Sequence, residues 1–386
     1  MCTFVLMKKV IIAIDSFKGS LTSAEAGAAA AQGIHRSCPN CQTIVLPIAD
    51  GGEGLLDVLI DIHQGLSINL QAHDPLMKLR NTRYALSADG NTAFIEMATI
   101  SGLPLVPVDK RNPWITTTYG TGELLRDALD RGCRNFILGV GGSATNDAGL
   151  GLFQALGYRF YDAQGQLLGT GGQILEKVSY IDDTQAHPAL CESHITVACD
   201  VRNPFYGPQG AAHVFARQKG ADETMVTQLD AGLRHLATII ETTRKVRFAD
   251  HPGAGAAGGL GGTLLAFLHA DLKPGADLLL QALHFQEYLK GADLVLTGEG
   301  KSDCQTLLGK VPFAILQTAQ KQKLPTIILA GSVEDVPTLN QAGFQAVFSI
   351  TPGPMSLQEA MRPEEARKNL EDTAAQIGAL WNGFHK

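Results

Sequence analysis

The chain has 386 residues, 45% of them hydrophobic, and a formal net charge of −7, which suits two ordinary globular domains. A pI near 5.9 without any block of five or six basic residues argues against a nucleic-acid partner. No apolar run approaches the ~20 residues of a membrane span, and seven cysteines at no framework spacing point to a reducing cytoplasm.

Met1 to Met7 is apolar but short and lacks a basic n-region, so it is not read as a signal peptide, and Met7 is an alternative start. The first predicted strand is Val10–Ile14, followed by the polar turn Asp15-Ser16-Phe17-Lys18-Gly19-Ser20. Thr22-x-x-Glu25 is a capping box, and the alanine-rich stretch Ala24–Ile34 has strong helix propensity. Cys38-Pro39-Asn40-Cys41 lies between this helix and a second strand, Thr43–Ile48, and is read as a loop. Asp50-Gly51-Gly52-Glu53-Gly54 follows, then a helix over Gly54–Gln64.

The pattern changes near Asp74-Pro75. Residues 84–88 and 92–97 flank Asp89-Gly90 as a hairpin, so antiparallel strands enter a mixed sheet. Phe136-Ile137-Leu138 leads into Gly139-Val140-Gly141-Gly142-Ser143-Ala144-Thr145-Asn146-Asp147-Ala148-Gly149, and an apolar helix over 150–156 follows. A strand, glycine turn and helix in that order point N–H groups and a positive helix end at one spot, which suits an anion. Asn146 and Asp147 add oxygen ligands of the kind Mg²⁺ takes; a tight structural turn is the alternative.

Further strands are predicted at 194–198, ending in Cys199-Asp200, and at 292–297, ending in Gly298-Glu299-Gly300. Two more are predicted at 324–330, ending in Gly331-Ser332, and at 346–350. Between the first two lies the glycine run 252–262 before a helix over 263–269, and 359–380 is predicted as a charged surface helix. Acids and glycines at the C-terminal ends of successive strands mark where open α/β sheets place their sites. The expected fold is α/β, with a discontinuous Rossmann-like domain from 7–74 and 283–386 and an inserted α/β domain with a mixed sheet from 75–282.

Several motifs are excluded. Gly300-Lys301-Ser302 lacks the first glycine of a P-loop, whose place is taken by Val295. The protein-kinase catalytic motifs, a full dinucleotide fingerprint and a hydrolase elbow are absent. Each remaining candidate has a bland alternative. Lys18 is either a surface lysine or a cation for a carboxylate or phosphate. Asp50 and Glu53 either cap a helix or serve Mg²⁺ or a base. Asp200 either caps a turn or acts in catalysis, and Lys310 is either solvated or near the site. The histidines have no metal-ligand spacing and are read as structural.

These blocks together resemble the bacterial type-1 glycerate kinases. The resemblance is carried by Ile14–Leu21, Ala49–Gly54, Ala93–Ala98, Tyr119–Leu124, Gly139–Gly149, Val197–Pro204, Gln218–Ala221, Pro252–Gly262, Thr297–Gly300 and Asp303–Lys310, in order over nearly the whole chain. Ile14 replaces a usual proline, and Lys301 stands where arginine is common, losing a guanidinium fork. The resemblance implies ATP- and Mg²⁺-dependent phosphorylation of D-glycerate to 2-phosphoglycerate, in glycerate or sugar-acid catabolism, at a site in the cleft between two α/β domains. Asp200, Lys18 and Asp50 are the expected catalytic residues. Ser16, Ser20, Gly141, Gly142, Ser143, Asn146, Gly255, Gly258, Gly259, Glu299 and Lys310 are expected to bind substrate or phosphate. Asp147 and Asp15 are the expected metal ligands. The alternatives are a phosphotransferase giving 3-phosphoglycerate or acting on a related hydroxy acid, and a nucleotide- or anion-binding regulator; the oligomeric state is left open. Retention of acids at so many turns favours the enzyme, because a binder does not need them together.

Overall fold

The computed structural model describes residues 7–48, 55–62 and 64–383. In chain order the strands are β1 (Lys9–Ile14), β2 (Gln42–Val45), β3 (Leu66–His73), β4 (Leu79–Leu86), β5 (Thr92–Glu96) and β6 (Asn135–Gly139). They continue as β7 (Arg159–Tyr161), β8 (Tyr180–Asp182), β9 (His194–Ala198), β10 (Asp271–Lys273), β11 (Leu294–Ser302), β12 (Thr326–Val333) and β13 (Ala346–Ser349). The chain forms two compact units, one from Met1–Asp50 with Ala276–Lys386 and the other from Gly51–Gly275.

The first unit has a five-stranded sheet in the order β13-β12-β11-β1-β2, parallel throughout. Its apolar strands are covered on both faces, as parallel sheets require. The helix Ser23–Ser37 carries the expected capping box, with Thr22 and Glu25 bonding reciprocally. The C-terminal helix Pro363–Gly383 is more than a charged surface element. It buries Leu370, Ala374 and Ile377 against the first helix, and a Cβ on Gly33 would strike the Glu371 carbonyl. Arg36 pairs across this contact with Glu371 and Asp372.

Gly298-Glu299-Gly300 is not the expected turn. β11 runs through it to Ser302 and stays paired with β12 as far as Ser302 opposite Val333. A Cβ at Gly298 would strike the Leu329 carbonyl, so glycine there permits close strand approach and does not end the strand.

The second unit holds a six-stranded mixed sheet, β10-β9-β6-β5-β4-β3. β5, β6, β9 and β10 run parallel, while β3 and β4 are antiparallel. The expected hairpin at Asp89-Gly90 is present, with Ala85 opposite Phe94. β3 was not foreseen. It forms an eight-residue ladder with β4, from Leu66 opposite Leu86 to His73 opposite Leu79. That pairing carries 66–73 into the second unit, whereas the sequence placed a boundary at 74/75; the return boundary falls at 275/276 where 282/283 was expected. No described helix is long and apolar enough to cross a membrane.

Candidate active site

The strand order of the first unit reverses between β1 and β11. The chain moves from β1 to β2 on one side, and from β11 through β12 to β13 on the other. Ligands of open α/β sheets bind outside the strand C-termini at such a switch point. Ile14 lies opposite Gly298, so Asp15 leaves β1 level with Glu299 on β11, and the Asp15 N–H donates to the Gly298 carbonyl at 2.9 Å.

After Asp15 the chain doubles back. Phe17 and Leu21 exchange backbone hydrogen bonds of 2.9 and 3.0 Å, holding Lys18-Gly19-Ser20 as a tight loop. Gly19 takes φ +77°, a left-handed backbone that favours glycine. Asp15 is buried, and one of its oxygens accepts the Ser16 N–H at 2.7 Å. The buried Ser20 hydroxyl has no hydrogen-bond partner. Glu299 is buried as well. Its Oε1 accepts the hydroxyls of Ser302 at 3.0 Å and Thr306 at 2.6 Å, and its Oε2 pairs with Lys310 Nζ at 3.4 Å. Asp15, Ser16, Lys18, Ser20, Glu299 and Lys310 all line one cavity of about 1000 Å³, together with Pro354, Met355, Leu357 and Met361. Lys301 also lines it but is tied to Glu334 at 3.0 Å, and that carboxylate holds its pKa above the ordinary lysine value.

The second locus is the glycine loop of the second unit. Here the structure corrects three expectations. The helix after the loop is only Leu150–Ala155, and its positive end is already occupied by the chain itself. The Asp147 carboxylate accepts N–H groups from Gly149 at 3.1 Å and Gly151 at 3.3 Å, so no free helix end awaits a phosphate. Asp147 also accepts from the Thr118 N–H at 2.8 Å and from the hydroxyls of Thr117 and Thr118 at 3.2 and 3.0 Å. It is fully buried and saturated with donors, so it anchors the loop and is not presented to a metal. Burial pushes its pKa up, while these donors pull it down.

Gly255, Gly258 and Gly259 are the third correction. All three are buried, and the N–H groups of Gly255 and Gly259 donate to the Asn203 and Gly255 carbonyls. A Cβ at Gly258 would strike Thr145, and one at Gly259 would meet Phe205 at 2.8 Å. Gly255 and Gly258 let backbones pack closely, and Gly259 makes room for the Phe205 and Leu233 side chains. Gly141 and Gly142 remain at the loop surface, Gly142 at φ +70°.

Ser143 and Asn146 are buried in the same loop, and neither polar atom of the Asn146 amide has a partner. Gly139 on β6 lies opposite Ala198 on β9, so the glycine loop and the turn holding Asp200 leave neighbouring strands at the same edge of the sheet. Asp200 is exposed, and its Oδ1 accepts the Gly275 N–H at 2.9 Å. The structure therefore gives Asp200 the capping bond and a place at the edge from which the loop leaves. Asp50, expected to be catalytic, lies outside the described residues, as does Glu53. Among the described residues no three His, Cys, Asp or Glu side chains form a metal cluster.

Two features escaped sequence reading. Thr116-Thr117-Thr118 supplies hydroxyls to the loop, and the three-threonine run before Tyr119-Gly120 was the available signal. Lys219 is 2% exposed, with Nζ donating to Ser143 Oγ at 2.8 Å and the Thr145 carbonyl at 2.6 Å. Lys219 lies in the block Gln218–Ala221 that carries the family resemblance, but the sequence assigns it no role. Burial brings its pKa down to about 7, partly offset by the negative charge of Asp147.

That shift has a stability consequence. Between pH 7 and the ordinary lysine value of 10.5 the unfolded chain holds a proton that the folded chain lacks. Stability relative to Lys219→Met should therefore rise with pH over this window, by at most about 1.4 kcal/mol per unit. Urea titrations of both proteins at pH 7, 8 and 9 test this, and a constant difference contradicts it.

Comparison with known proteins agrees with this architecture. Residues 10–382 match the model of the glycerate kinase family. A glycerate kinase from Bacillus subtilis strain 168 is 46% identical over 372 residues, 96% of this chain and 97% of that protein. A glycerate 2-kinase from Escherichia coli K12 is 45% identical over 355 residues, 92% and 93% of the two chains. A solved structure from Salmonella typhimurium LT2 superposes with a TM-score of 0.86 at 42% identity, covering 98% of this chain and 99% of that one. With a full-length family match and relatives of this identity, the chain belongs to the glycerate kinase family.

Proposed function

We propose that this protein transfers the γ-phosphoryl group of ATP to D-glycerate, giving 2-phosphoglycerate and ADP. The observation that carries this reading is the cavity at the β1/β11 switch point, where Lys18, Lys310, Asp15 and Ser16 converge in a chain of this family. A volume of about 1000 Å³ far exceeds what glycerate fills and suits a nucleotide. Lys18 and Lys310 would offset phosphate charge in an acidic protein, and the cavity's methionines and prolines offer apolar surface to a base.

The cavity also fits Mg²⁺ held jointly by phosphate and protein. Such sites take one or two carboxylates and other oxygens, and Asp15 with the unpartnered Ser20 hydroxyl provides them. The metal would neutralise charge on the transferring phosphate. Asp200, at the sheet edge from which the glycine loop leaves, would accept the proton of the attacking hydroxyl, while Ser143 and Asn146 would hold anionic oxygens. The proposed setting is the cytoplasm, and the six described cysteines carry free thiols.

The test is ADP release with D-glycerate, with L-glycerate and tartronate as controls, followed by phosphorus NMR of the product. ATP turnover is expected only with glycerate and Mg²⁺ together. Turnover with another hydroxy acid and none with glycerate would reject the substrate. Product resonances of 3-phosphoglycerate would reject the position, and nucleotide binding without turnover would favour a regulator.

A further inference from the structure

We infer that Lys219 is a positioning residue that makes Ser143 a committed hydrogen-bond donor to an anionic oxygen of a substrate. The inference rests on the phosphoryl-transfer reading above. Lys219 lies in the short helical turn Arg217–Lys219, and its ammonium reaches 76 residues back along the chain to Ser143. An ammonium only donates. With Lys219 in its protonated form, which the negative charge of Asp147 favours, Ser143 Oγ accepts from it, and the single hydroxyl proton of Ser143 is left for a different acceptor. No described residue takes that proton.

The same short loop holds other orphans. Both polar atoms of the Asn146 amide and the hydroxyl of Thr145 are buried without partners. Buried polar groups are nearly always paired, so this concentration marks a place where a ligand supplies the missing partners. A hydroxyl that accepts from a cation is polarised and donates more strongly, which suits a carboxylate or phosphate oxygen. Charge balance against Asp147 does not account for the arrangement by itself. The hydrogen bonds of Asp147 come from Thr117, Thr118, Gly149 and Gly151, whereas those of Lys219 go to Ser143 and Thr145.

Steady-state kinetics of Ser143→Ala, Lys219→Met and the double variant, each checked for cooperative unfolding, test the proposal. Each single change is expected to lower kcat/KM by about 10- to 100-fold, the usual effect of losing a hydrogen bond to a charged group. The double variant should be within about 3-fold of the worse single one, because both changes remove one coupled interaction. Ser143→Thr, which keeps the hydroxyl, should restore most of the loss. A rise in KM for glycerate identifies the carboxylate as the acceptor, and a rise in KM for ATP identifies a phosphate oxygen. Wild-type kinetics in Ser143→Ala, or losses that multiply in a folded double variant, would overturn the inference. Should Lys219→Met fail to fold, Ser143→Ala and its Ser143→Thr rescue decide alone. An active wild-type enzyme with an unaffected Ser143→Ala defeats this inference only, whereas a wild type without glycerate-dependent turnover removes both readings.

Discussion

Asp200→Asn is expected to leave a folded protein whose kcat falls by ~10²- to 10⁴-fold, with little change in KM for either substrate. β9 ends at Ala198, level with Gly139 of β6 on one side and Lys273 of β10 on the other. Two residues further on, Asp200 caps the Gly275 N–H at the edge of the sheet from which the glycine loop also leaves. The cap orients the carboxylate. Asparagine keeps a carbonyl oxygen for the same N–H and nearly the same shape, but it is not basic. The substitution therefore removes proton acceptance while preserving the cap. Steady-state kinetics beside a thermal unfolding curve separate the two roles. A near-normal kcat in a variant of wild-type stability would leave Asp200 as a helix cap.

Asp147→Ala should lower stability by about 3–5 kcal/mol, by the same amount with and without Mg²⁺. One buried carboxylate accepts five hydrogen bonds, from Thr117, twice from Thr118, and from Gly149 and Gly151. Alanine leaves those donors unpaired in the interior and removes the negative charge that favours the protonated form of buried Lys219. Urea titration in the presence of EDTA or of MgCl₂ measures the loss. A destabilisation seen only in MgCl₂ would restore Asp147 to the metal, against the hydrogen bonding described here.

Much of the fold was legible because it is local. The run Val10–Ile14 is apolar at every position and forms a buried strand wherever it pairs. Thr22 and Glu25 are three residues apart and cap a helix through contacts within one turn. Asp89-Gly90 turns a hairpin through its own backbone preferences. β3 went unread although its signal is also local: Leu66, Ile68, Leu70 and Ala72 alternate with Ser67, Asn69, Gln71 and His73 at the period of a strand, and the ladder with β4 realises it.

The candidate site divides in the same way. The sequence by itself determined the family, through motifs set in order along the chain, and it determined which residue types stand at the strand ends: Asp15 and Lys18 after β1, the glycine loop after β6, Asp200 after β9. Only the tertiary structure decided what each does. Pairing of β1 with β11 put Asp15 beside Glu299 across nearly 300 residues and created the switch point that the cavity occupies. Folding of Thr117 and Thr118 onto Asp147 turned an expected metal ligand into an anchor, and close packing against Thr145 and Asn146 made Gly258 a contact between backbones. Lys219 became part of the site in the same manner. Burial and hydrogen-bond partners set the chemistry of a charged side chain, and both are supplied here by segments tens to hundreds of residues away, beyond the reach of any local pattern.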